Sequence, residues 1–389
     1  MRILVLSYYY PPDIGPGSLR AKSIVDALLE EGSSNLKIDV ITTTPHRYHL
    51  PNNVDIKTLN NSKVSINRVA LPQNKNSILD QARSFASFGF AVRRLTLKKK
   101  WDIVIATSSR LMTASLATYV AKKSNSKIYL DIRDLFTDTI DDVLKNKFFH
   151  ILMPIFYILE KWTFKSANKL NIVSAGFLNY MEKIAPKVSI STYTNGVDEM
   201  FIKNNFLTEK NSSKPLILYV GNIGDGQGLH KIIPYIANSM KDFQFKLIGD
   251  GSAKKLLINN DLFKLQNNIE ILRPMLRNEL ICEYQSADIL FLHLNDYKAF
   301  DKVLPSKIFE YAATGKPILA GVSGYAAKFL KEQVKGAEVF HPCDVVSMRI
   351  GLEKLLNGPK TIDRSDFCLR YSRKKIMKKL AKDVLTLSN

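Results

Sequence analysis

The sequence predicts an α/β protein built from two doubly wound domains. Its 389 residues exceed what most single hydrophobic cores can organise. Short runs of isoleucine, valine and leucine recur along the chain and mostly alternate with helical segments, as expected for parallel strands that are buried on both faces. Two such series stand on either side of about residue 200. Each series therefore predicts one sheet with helices packed on it.

The strand-like runs give the order of elements in each domain. In the first series they are RILVLS, KIDVITT, WDIVIAT, SKIYLDI and NKLNIVS, starting at Arg2, Lys37, Trp101, Ser126 and Asn168. In the second series they are LILYVG, QFKLIG, NIEIL, ADILFLH, KPILAG and AEVF, starting at Leu216, Gln244, Asn268, Ala287, Lys316 and Ala337. We expect an N-terminal domain over 1–195 and a second domain over 196–371, whose first loop is the polar stretch Phe206–Pro215. A final amphipathic helix over 372–389 caps the second domain or packs back onto the first.

Composition excludes several classes of protein. The chain is 46% hydrophobic and 24% charged, and no run of 18 uncharged apolar residues exists, so we expect no spanning helix. The N-terminal residues lead directly into a strand, so we expect no signal peptide. The three cysteines, Cys282, Cys343 and Cys368, are scattered without metal-like spacing. They predict a reducing, cytoplasmic compartment and no disulfide framework.

The positive charge of the chain is concentrated in the first domain. The formal net charge is +20, from 56 Lys and Arg against 36 Asp and Glu. Between Asn61 and Lys127, 13 basic residues are opposed by Asp80 and Asp102 alone, which leaves +11 on that stretch. Such a surface attracts phosphoryl groups, nucleic acid or anionic membranes, although a merely solvated lysine-rich surface explains part of it.

Two glycine-bearing loops follow predicted strands. The first holds Gly15 and Gly17 before a helix that we expect to begin near Ser18. Glycine lets backbone N–H groups approach a ligand, and a helix N-terminus favours an anion, but the pattern is not GxGxxG and a plain turn is the alternative. The second loop, VGNIGDGQG, places four glycines within eight residues from Gly221 to Gly228. This density favours a loop that wraps a diphosphate.

The stretch LPSKIFEYAATGKP, residues 304–317, predicts a helix with polar groups at its start. Pro305 suits a first helical turn, and Ser306 offers a hydroxyl where backbone N–H groups are free. Lys307 adds a positive charge, and Glu310 lies one turn further on. A carboxylate there can accept hydrogen bonds from a ribose diol. The alternative is a capped helix with an incidental Glu–Lys pair.

Taken together, five motifs in order resemble the family 4 glycosyltransferases of GT-B architecture. They are the first glycine loop, NGVD from Asn195 to Asp198 followed by Phe201, the second glycine loop, IGDG over 248–251, and the glutamate-bearing helix that ends in GKP. The resemblance implies two Rossmann-like domains facing across a cleft. The stretches GNIG…QGL and PSKIFEY are most similar to the bacterial surface-polysaccharide branch, which includes N-acetyl-L-fucosamine transferases of O-antigen and capsule pathways.

The resemblance also implies a set of site residues. Nucleotide-sugar contacts would come from Gly15, Gly17, Gly221, Asn222, Gly226, Gln227, Ser306, Lys307 and Glu310, with Glu310 on the ribose. The family's other glutamate, eight positions earlier, is Lys302 here, and Asp301 is a possible substitute. The family's phosphate-binding Arg and Lys are replaced by Asn222 and Gln227, which leaves Lys307 as the candidate for that charge.

A family histidine in the first domain is replaced within YLDIRDLF. Arg133 and Asp134 stand at the end of that predicted strand, where α/β sheets place ligands. We therefore expect Asp134 and Arg133 to be the catalytic residues. A structural salt bridge between them is the alternative.

The activity implied is retaining transfer from a nucleotide diphosphate sugar to an acceptor. The expected donor is a UDP-linked N-acetylated hexosamine, with 6-deoxy forms among the candidates, and the expected acceptor is a polyprenyl-diphosphate-linked saccharide. Because the sequence has no DxD triplet and no His/Cys ligand cluster, we expect no metal or other cofactor. A GT-B sugar 2-epimerase and a non-catalytic nucleotide-sugar-binding subunit remain open, and nucleic-acid binding ranks last because no known module is present.

Two segments predict peripheral contact with an anionic membrane, at the inner leaflet of the plasma membrane. One is Arg93–Trp101, which lies next to the apolar run FASFGFAV. The other is 145–165, which mixes aromatic residues with flanking lysines and contains Pro154. Basic residues beside exposed apolar ones mark an interfacial element. The second segment also fits a core helix, so the first carries more weight.

Overall fold

The computed structural model describes residues 1–13, 15–45, 62–72, 78–108, 110–138, 147–206 and 214–388. The chain divides into two compact units. Unit 1 comprises Met1–Asn195 with Lys374–Asn389, and unit 2 comprises Gly196–Arg373. The predicted boundary loop Phe206–Pro215 lies mostly outside the described residues.

Unit 1 is built on a seven-stranded parallel sheet. Its strands are β1 (Arg2–Leu6), β2 (Lys37–Thr43), β3 (Val64–Val69), β4 (Ile103–Ser108), β5 (Lys127–Ile132), β6 (Lys169–Ile172) and β7 (Ser189–Ser191). The spatial order is β3-β2-β1-β4-β5-β6-β7, so the direction of winding reverses between β1 and β4. The sequence did not predict β3 and β7, because β3 carries half-buried polar residues and β7 has only three residues.

Helices pack on this sheet and include the C-terminal one. Their bounds are Pro16–Glu31, Ile78–Thr96, Leu111–Ser124, Lys147–Lys165, Leu178–Ile184 and Arg373–Leu385. The last helix returns the chain to unit 1. Its Asp383 accepts hydrogen bonds from the Tyr129 and Ser191 hydroxyls at 3.3 and 2.9 Å, and Lys378 pairs with Glu31 at 2.9 Å. Of the two positions that the sequence left open for this helix, the structure shows packing on the first domain.

Unit 2 repeats the same topology with six strands. They are β8 (Leu216–Val220), β9 (Gln244–Ile248), β10 (Ile269–Leu272), β11 (Ile289–His293), β12 (Ile318–Gly321) and β13 (Ala337–Phe340). Their order is β10-β9-β8-β11-β12-β13, all parallel, with the reversal between β8 and β11. Its helices are Glu199–Lys203, Ile233–Ser239, Lys254–Ile258, Asp261–Lys264, Arg277–Ser286, Lys307–Ala313, Gly324–Gln333, Val345–Asn357 and Ser365–Arg370. Each unit is thus a doubly wound, Rossmann-like α/β domain, as predicted.

The strands are buried because both faces of each sheet are covered. Every residue of β11 is buried, and the helix Lys307–Ala313 contributes Ile308, Phe309 and Tyr311 to one core of unit 2. Burying a side chain such as Phe309 stabilises the fold by roughly 2–3 kcal/mol relative to leaving it exposed. This apolar packing fixes the helix that carries Lys307 and Glu310.

The first predicted membrane segment and its adjoining apolar run expose Leu97 and Phe90, at 61% and 74%, beside exposed Arg93 and Arg94, but they do not expose Trp101. Trp101 is 4% exposed, lies under Arg2 at 5.6 Å and donates its indole N–H to Asp39 at 2.6 Å. It is therefore a packing residue and not part of an exposed patch, which corrects the prediction. In the helix Lys147–Lys165, Ile155 and Ile158 are 61% and 67% exposed, so a purely core helix is also wrong. None of the described helices is long and apolar enough to cross a membrane.

Candidate functional site

The seam between β8 and β11, meaning the line along which these two strands pair, loses its pairing toward the carboxyl ends of the strands. These strands are paired only at Ile217 with Ile289 and at Leu218 with Leu290. Beyond that point the Tyr311 hydroxyl accepts a hydrogen bond from the Val220 N–H at 3.0 Å. Ligands of open α/β sheets bind outside the carboxyl ends of strands where the winding reverses, and this seam is that place in unit 2.

The second glycine loop leaves β8 against the loop that follows β9. The Gly221 N–H donates to the Ile248 carbonyl at 2.9 Å, and the Ile223 N–H donates to the Asp250 carbonyl at 2.9 Å. A Cβ on Gly249, whose φ is 157°, would stand 1.8 Å from the Gly221 carbonyl oxygen. The glycines of IGDG are therefore required for close backbone approach of the two loops.

Groups at the end of β11 hold the far side of the glycine loop. His293 Nδ1 lies 2.7 Å from the Gln227 carbonyl, and its Nε2 accepts from the Cys343 N–H at 3.0 Å. Asn295 donates to the Asp225 carbonyl at 2.9 Å and accepts from Lys231 Nζ at 2.8 Å. Burial lowers the pKa of His293 to about 4, so the ring is neutral at physiological pH.

The predicted loop residues Asn222, Gly226 and Gln227 are close together. The side-chain amides of Asn222 and Gln227 lie 2.7 Å apart, and the Gly224 N–H donates to Gln227 Oε1 at 3.3 Å. A Cβ on Gly226 would be 3.0 Å from the Phe300 ring. The loop is therefore shaped by its own amides, without the cations found in the resembling family.

Elsewhere in unit 2, five charged side chains form an ion cluster: Asp198, Arg277, Lys307, Glu310 and Arg373. Lys307 Nζ lies 2.7 Å from Glu310 Oε2, and Arg277 Nη2 lies 3.5 Å from Glu310 Oε1. Arg277 also pairs with Asp198, which accepts from Arg373 Nε at 2.9 Å. Three cations thus face two carboxylates, which leaves one unit of positive charge on the ion cluster.

The ion cluster keeps Glu310 ionised although the residue is buried. Burial by itself would raise the pKa of this carboxyl, but Lys307 and Arg277 outweigh burial and hold the pKa below its ordinary value. Burial by itself would lower the pKa of Arg277, but Glu310 and Asp198 outweigh burial and raise that pKa above its ordinary value. The buried Tyr284 hydroxyl lies 3.4 Å from Glu310 and 3.2 Å from Lys307. Glu310 is therefore a fixed anion with acceptor capacity left on Oε1.

The start of the helix Lys307–Ala313 differs from the prediction. Pro305 precedes the helix, and the Ser306 hydroxyl makes no capping hydrogen bond. The N–H groups of Ile308 and Phe309 donate to the Pro305 and Ser306 carbonyls at 3.2 Å each, so they are not free. The Glu–Lys pair that the sequence left as the alternative is present, and the positive charge of Lys307 is directed at Glu310.

Asp301, the substitute considered for the missing glutamate, serves a local turn. Its carboxylate accepts from the Ser323 hydroxyl at 2.6 Å. Its backbone carbonyl would lie 2.1 Å from a Cβ on Gly324, which has a φ of 54°. The contacts of Asp301 therefore brace the start of the helix Gly324–Gln333.

In unit 1, the helix begins two residues earlier than predicted, at Pro16. Gly15 is its extended N-cap residue, and Gly17 lies in its first turn and not in the loop. A Cβ at 17 would stand 2.4 Å from Nη1 of Arg133, so the end of the Arg133 side chain lies directly against this glycine. The structure thus brings Arg133 and the first glycine segment together, a contact that the sequence did not predict.

Asp134 follows Arg133 directly beyond the end of β5. Its Oδ1 accepts the N–H of Leu135 at 3.0 Å. Within β5, the neighbouring Asp131 is fully buried and paired with Arg20 at 2.7 Å, with further hydrogen bonds from Thr107 and Asn171. Asp131 therefore stabilises the fold, whereas Asp134 lies beyond the end of β5 at the carboxyl edge of the sheet.

Sequence reasoning missed most of the ion cluster. It assigned roles to Lys307 and Glu310 but none to Arg277, Tyr284 or Arg373, and it quoted Asp198 only as part of a motif. The spacing gave no direct signal, since Arg277 and Asp198 are 79 residues apart. Among the described residues, no group of three His, Cys, Asp or Glu side chains could hold a metal ion.

Comparisons with known proteins fit this geometry. Residues 201–374 match a family model described as Glycosyl transferases group 1. No curated protein sequence matches the chain. A sucrose-phosphate synthase from Thermosynechococcus elongatus has a similar structure, with a TM-score of 0.70 and 12% identity over 100% of this chain and 96% of that chain.

Two further solved structures share the fold over nearly the whole chain. HepE from Anabaena, in complex with UDP and glucose, has a TM-score of 0.66 and 13% identity, covering 100% of this chain and 97% of that chain. WaaG, a glycosyltransferase involved in lipopolysaccharide biosynthesis, has a TM-score of 0.64 and 14% identity, covering 99% and 97%. The predicted GT-B fold class, with two Rossmann-like domains, is confirmed. The family model matches the part of the chain that forms unit 2, and the solved structures share the fold of nearly the whole chain.

Proposed function

We propose that this protein is a retaining glycosyltransferase that uses a nucleotide diphosphate sugar, with UDP as the nucleotide. The observation that carries the proposal is the ion cluster. It sits in the unit that matches the glycosyltransferase family model, which also holds the second glycine loop after β8. HepE, a structural relative, binds UDP and glucose.

In this proposal the ion cluster binds the nucleoside part of the donor. Glu310 is ionised and fixed by Lys307 and Arg277, so its free acceptor positions can take hydrogen bonds from ribose hydroxyls. The one unit of excess positive charge suits the neighbouring phosphates. Lys231, which lies on the far side of the glycine loop, supplies a further cation.

The proposed catalysis depends on the charge that develops on the leaving group in the transition state. As the bond from the sugar to the diphosphate breaks, negative charge grows on the leaving oxygen. Backbone N–H groups of the glycine loop and the nearby cations stabilise that charge more in the transition state than in the ground state. The proposal assigns Asp134 and Arg133 to the acceptor side, where Asp134 would assist the reaction at the incoming hydroxyl.

The proposed donor sugar is an N-acetylated hexosamine, and the proposed acceptor is a saccharide on polyprenyl diphosphate, as in surface-polysaccharide synthesis. WaaG, another structural relative, is involved in lipopolysaccharide biosynthesis. Such an acceptor is held at the cytoplasmic leaflet. The proposal therefore includes peripheral attachment to an anionic membrane.

The helix Lys147–Lys165 offers one surface for that attachment, and the exposed Phe90 and Leu97 beside Arg93 and Arg94 offer a second. It exposes Ile155, Ile158 and Trp162, and Lys122 lies 5.0 Å from the Trp162 ring. Lys161 and Lys165 are exposed on the same helix. Each basic residue near an anionic surface contributes about 1 kcal/mol, and the apolar side chains add to it.

Donor consumption with and without an acceptor tests the activity. We expect the purified protein to release UDP from a UDP-N-acetylhexosamine only when a prenyl-diphosphate-linked saccharide is added. Conversion of the donor to its 2-epimer without acceptor would instead support the epimerase. Binding of UDP without any turnover across a donor and acceptor panel would support the non-catalytic subunit.

Asp134→Asn tests the catalytic assignment. The change removes the charge and keeps the shape, so we expect kcat to fall by about 100-fold while the Kd for UDP stays within twofold. Asp261→Asn, a change at an exposed aspartate of unit 2, is the matched control. Retention of most activity by Asp134→Asn would make Asp134 structural.

Vesicle sedimentation tests the membrane surface. We expect binding to anionic vesicles at low salt, loss at high salt, and a clear reduction for Ile155→Ser with Ile158→Ser. Equal binding to neutral and anionic vesicles would contradict the electrostatic part of the proposal. An unchanged double variant would move the contact away from this helix.

A further inference from the structure

The carboxyl edge of unit 1, between β1 and β4, has features of an anion site. Two long helices begin there: Pro16–Glu31 follows β1, and Leu111–Ser124 follows β4. In neither helix does the N-cap side chain accept a capping hydrogen bond, and neither first turn holds an acidic residue, although the Arg110 N–H itself donates to the Ser108 hydroxyl at 2.8 Å. The partial positive charge of both N-termini is therefore left for another group to meet.

Two buried hydroxyl groups lie in these same first turns. Ser18 is 1% exposed and Thr113 is 0% exposed, and neither hydroxyl oxygen has a hydrogen-bond partner within the described part of the chain. A helical Cα–Cβ bond is tilted toward the N-terminus, so both hydroxyls lean toward the helix starts. Because a buried hydroxyl without a partner costs free energy, this pair indicates a polar ligand at the edge.

Arg110, the N-cap residue of the second helix, carries a charge that aromatic rings hold in place. Its guanidinium lies 4.5 Å from the Tyr8 ring and 5.7 Å from the Tyr9 ring, and Nη2 donates to the Tyr9 hydroxyl at 3.0 Å. Among the described residues, no carboxylate pairs with it. Arginine has five N–H donors, so most remain available for an anion.

The other charges of this edge leave a positive balance. Arg133 lies across Gly17 at the start of the first helix. Asp13 interacts electrostatically with Arg68, which lies against the Pro11 carbonyl. Asp134 accepts the Leu135 N–H. Among the described residues, this edge holds the guanidinium groups of Arg68, Arg110 and Arg133 and the carboxylates of Asp13 and Asp134, three positive charges against two negative ones.

We propose that this edge binds a phosphoryl group of the acceptor, with Arg110 as its principal ligand. That the phosphoryl group belongs to the acceptor rests on the proposed function, whereas the anion site itself rests on residues of unit 1 alone. The helix start at Gly15 and Gly17, where the sequence predicts a nucleotide-sugar contact, is thereby assigned to the acceptor, and the donor's phosphates have separate cations in unit 2. A lipid-linked diphosphate therefore has its own recognition site, which selects acceptors that carry a phosphoryl group over neutral saccharides.

Calorimetry on the full chain tests the proposal, with farnesyl diphosphate as a soluble probe in the presence of saturating UDP. We expect farnesyl diphosphate to bind, and Arg110→Gln to weaken its binding at least 10-fold. Arg110→Lys keeps the charge and is expected to fall between wild type and Arg110→Gln. Arg94→Gln, a change at an exposed arginine of helix Ile78–Thr96, is the matched control and should bind like wild type.

The remaining arms separate the sources of the phosphoryl group. Pyrophosphate should show the same dependence on Arg110, since the proposed ligand is the diphosphate and not the prenyl chain. If farnesyl diphosphate and UDP compete for binding to the protein, the anion site belongs to the donor, and the proposal is overturned. Wild-type affinity in a folded Arg110→Gln variant would overturn it as well. Failure of UDP to bind would refute the proposed function alone, because the pyrophosphate titration without UDP still tests Arg110.

Discussion

The ion cluster of unit 2 and the β1/β4 edge of unit 1 occupy the same place in two sheets of the same topology, yet their charges are arranged differently. In unit 2, Glu310 and Asp198 are each paired with two cations. In unit 1, Arg110 faces two tyrosine rings. A network in which every charge has an ionic partner fixes the side-chain geometry before a ligand arrives. A cation held by aromatic rings keeps its N–H donors for the ligand.

The largest effect that this comparison predicts is on stability in unit 2. Arg277→Met keeps most of the side-chain volume but removes the cation shared by Asp198 and Glu310. Breaking a buried ion network by removing one partner typically costs about 3 kcal/mol, so we expect a loss of this size in the free energy of unfolding. Urea denaturation measures it.

Arg349→Met is the matched control, because Arg349 pairs with Glu353 on an exposed helix surface at 2.9 Å. Surface pairs of this kind contribute well under about 1 kcal/mol. A similar loss in both variants would show that the ion cluster is no more important to the fold than a surface pair.

The second effect concerns pH. His293 is neutral in the fold with a pKa of about 4, against an ordinary value of 6.5. Below pH 6.5 the unfolded chain takes up a proton on this histidine that the folded chain excludes. The stabilisation that the neutral ring contributes is therefore complete above pH 6.5 and is lost progressively as the pH falls to 4. At pH 5 the loss is about 2 kcal/mol.

Denaturation at pH 7.5 and pH 5.0 measures this slope. In His293→Gln, an amide can still donate to Gln227 and accept from Cys343 without titrating, so the slope between the two pH values should shrink by most of that amount. An unchanged slope in the variant would show that other groups cause the acid sensitivity.

The smallest effect is on stability in unit 1. Arg110→Gln removes contacts with Tyr8 and Tyr9 but no ion pair with a described carboxylate, so we expect it to cost only about 1 kcal/mol in urea denaturation. A loss as large as that of Arg277→Met would erase the distinction between the two regions and make Arg110 a structural residue.

The fold could be predicted because buried parallel strands have a continuous apolar signature. Runs such as KIDVITT and AEVF match β2 and β13 residue for residue. The short β7 and the half-polar β3 lack that signature, since edge strands need not be apolar on both faces. The sequence places Pro16 and Gly17 in the loop because of their breaker character, although proline is favoured in a first helical turn, where the structure puts both residues.

The candidate site was predictable only in part. Lys307 and Glu310 share one helical turn, so sequence spacing indicates their pairing. Arg277 pairs with both Glu310 and Asp198, and Arg373 pairs with Asp198, from segments that only tertiary packing brings together. Sequence spacing therefore indicated the Lys307–Glu310 pair but could not show the arginines and the buried tyrosine around it.

The central claim is that the ion cluster binds the nucleotide, and isothermal titration of UDP into Glu310→Gln tests it most directly. The account predicts at least a 10-fold higher Kd than wild type in a protein that remains folded, since a hydrogen bond to a charged group contributes about 1.5–3 kcal/mol. Glu283→Gln, which alters an ion pair with Lys246 in the same unit, should bind UDP like wild type. Equal UDP affinity in Glu310→Gln and wild type would contradict the account.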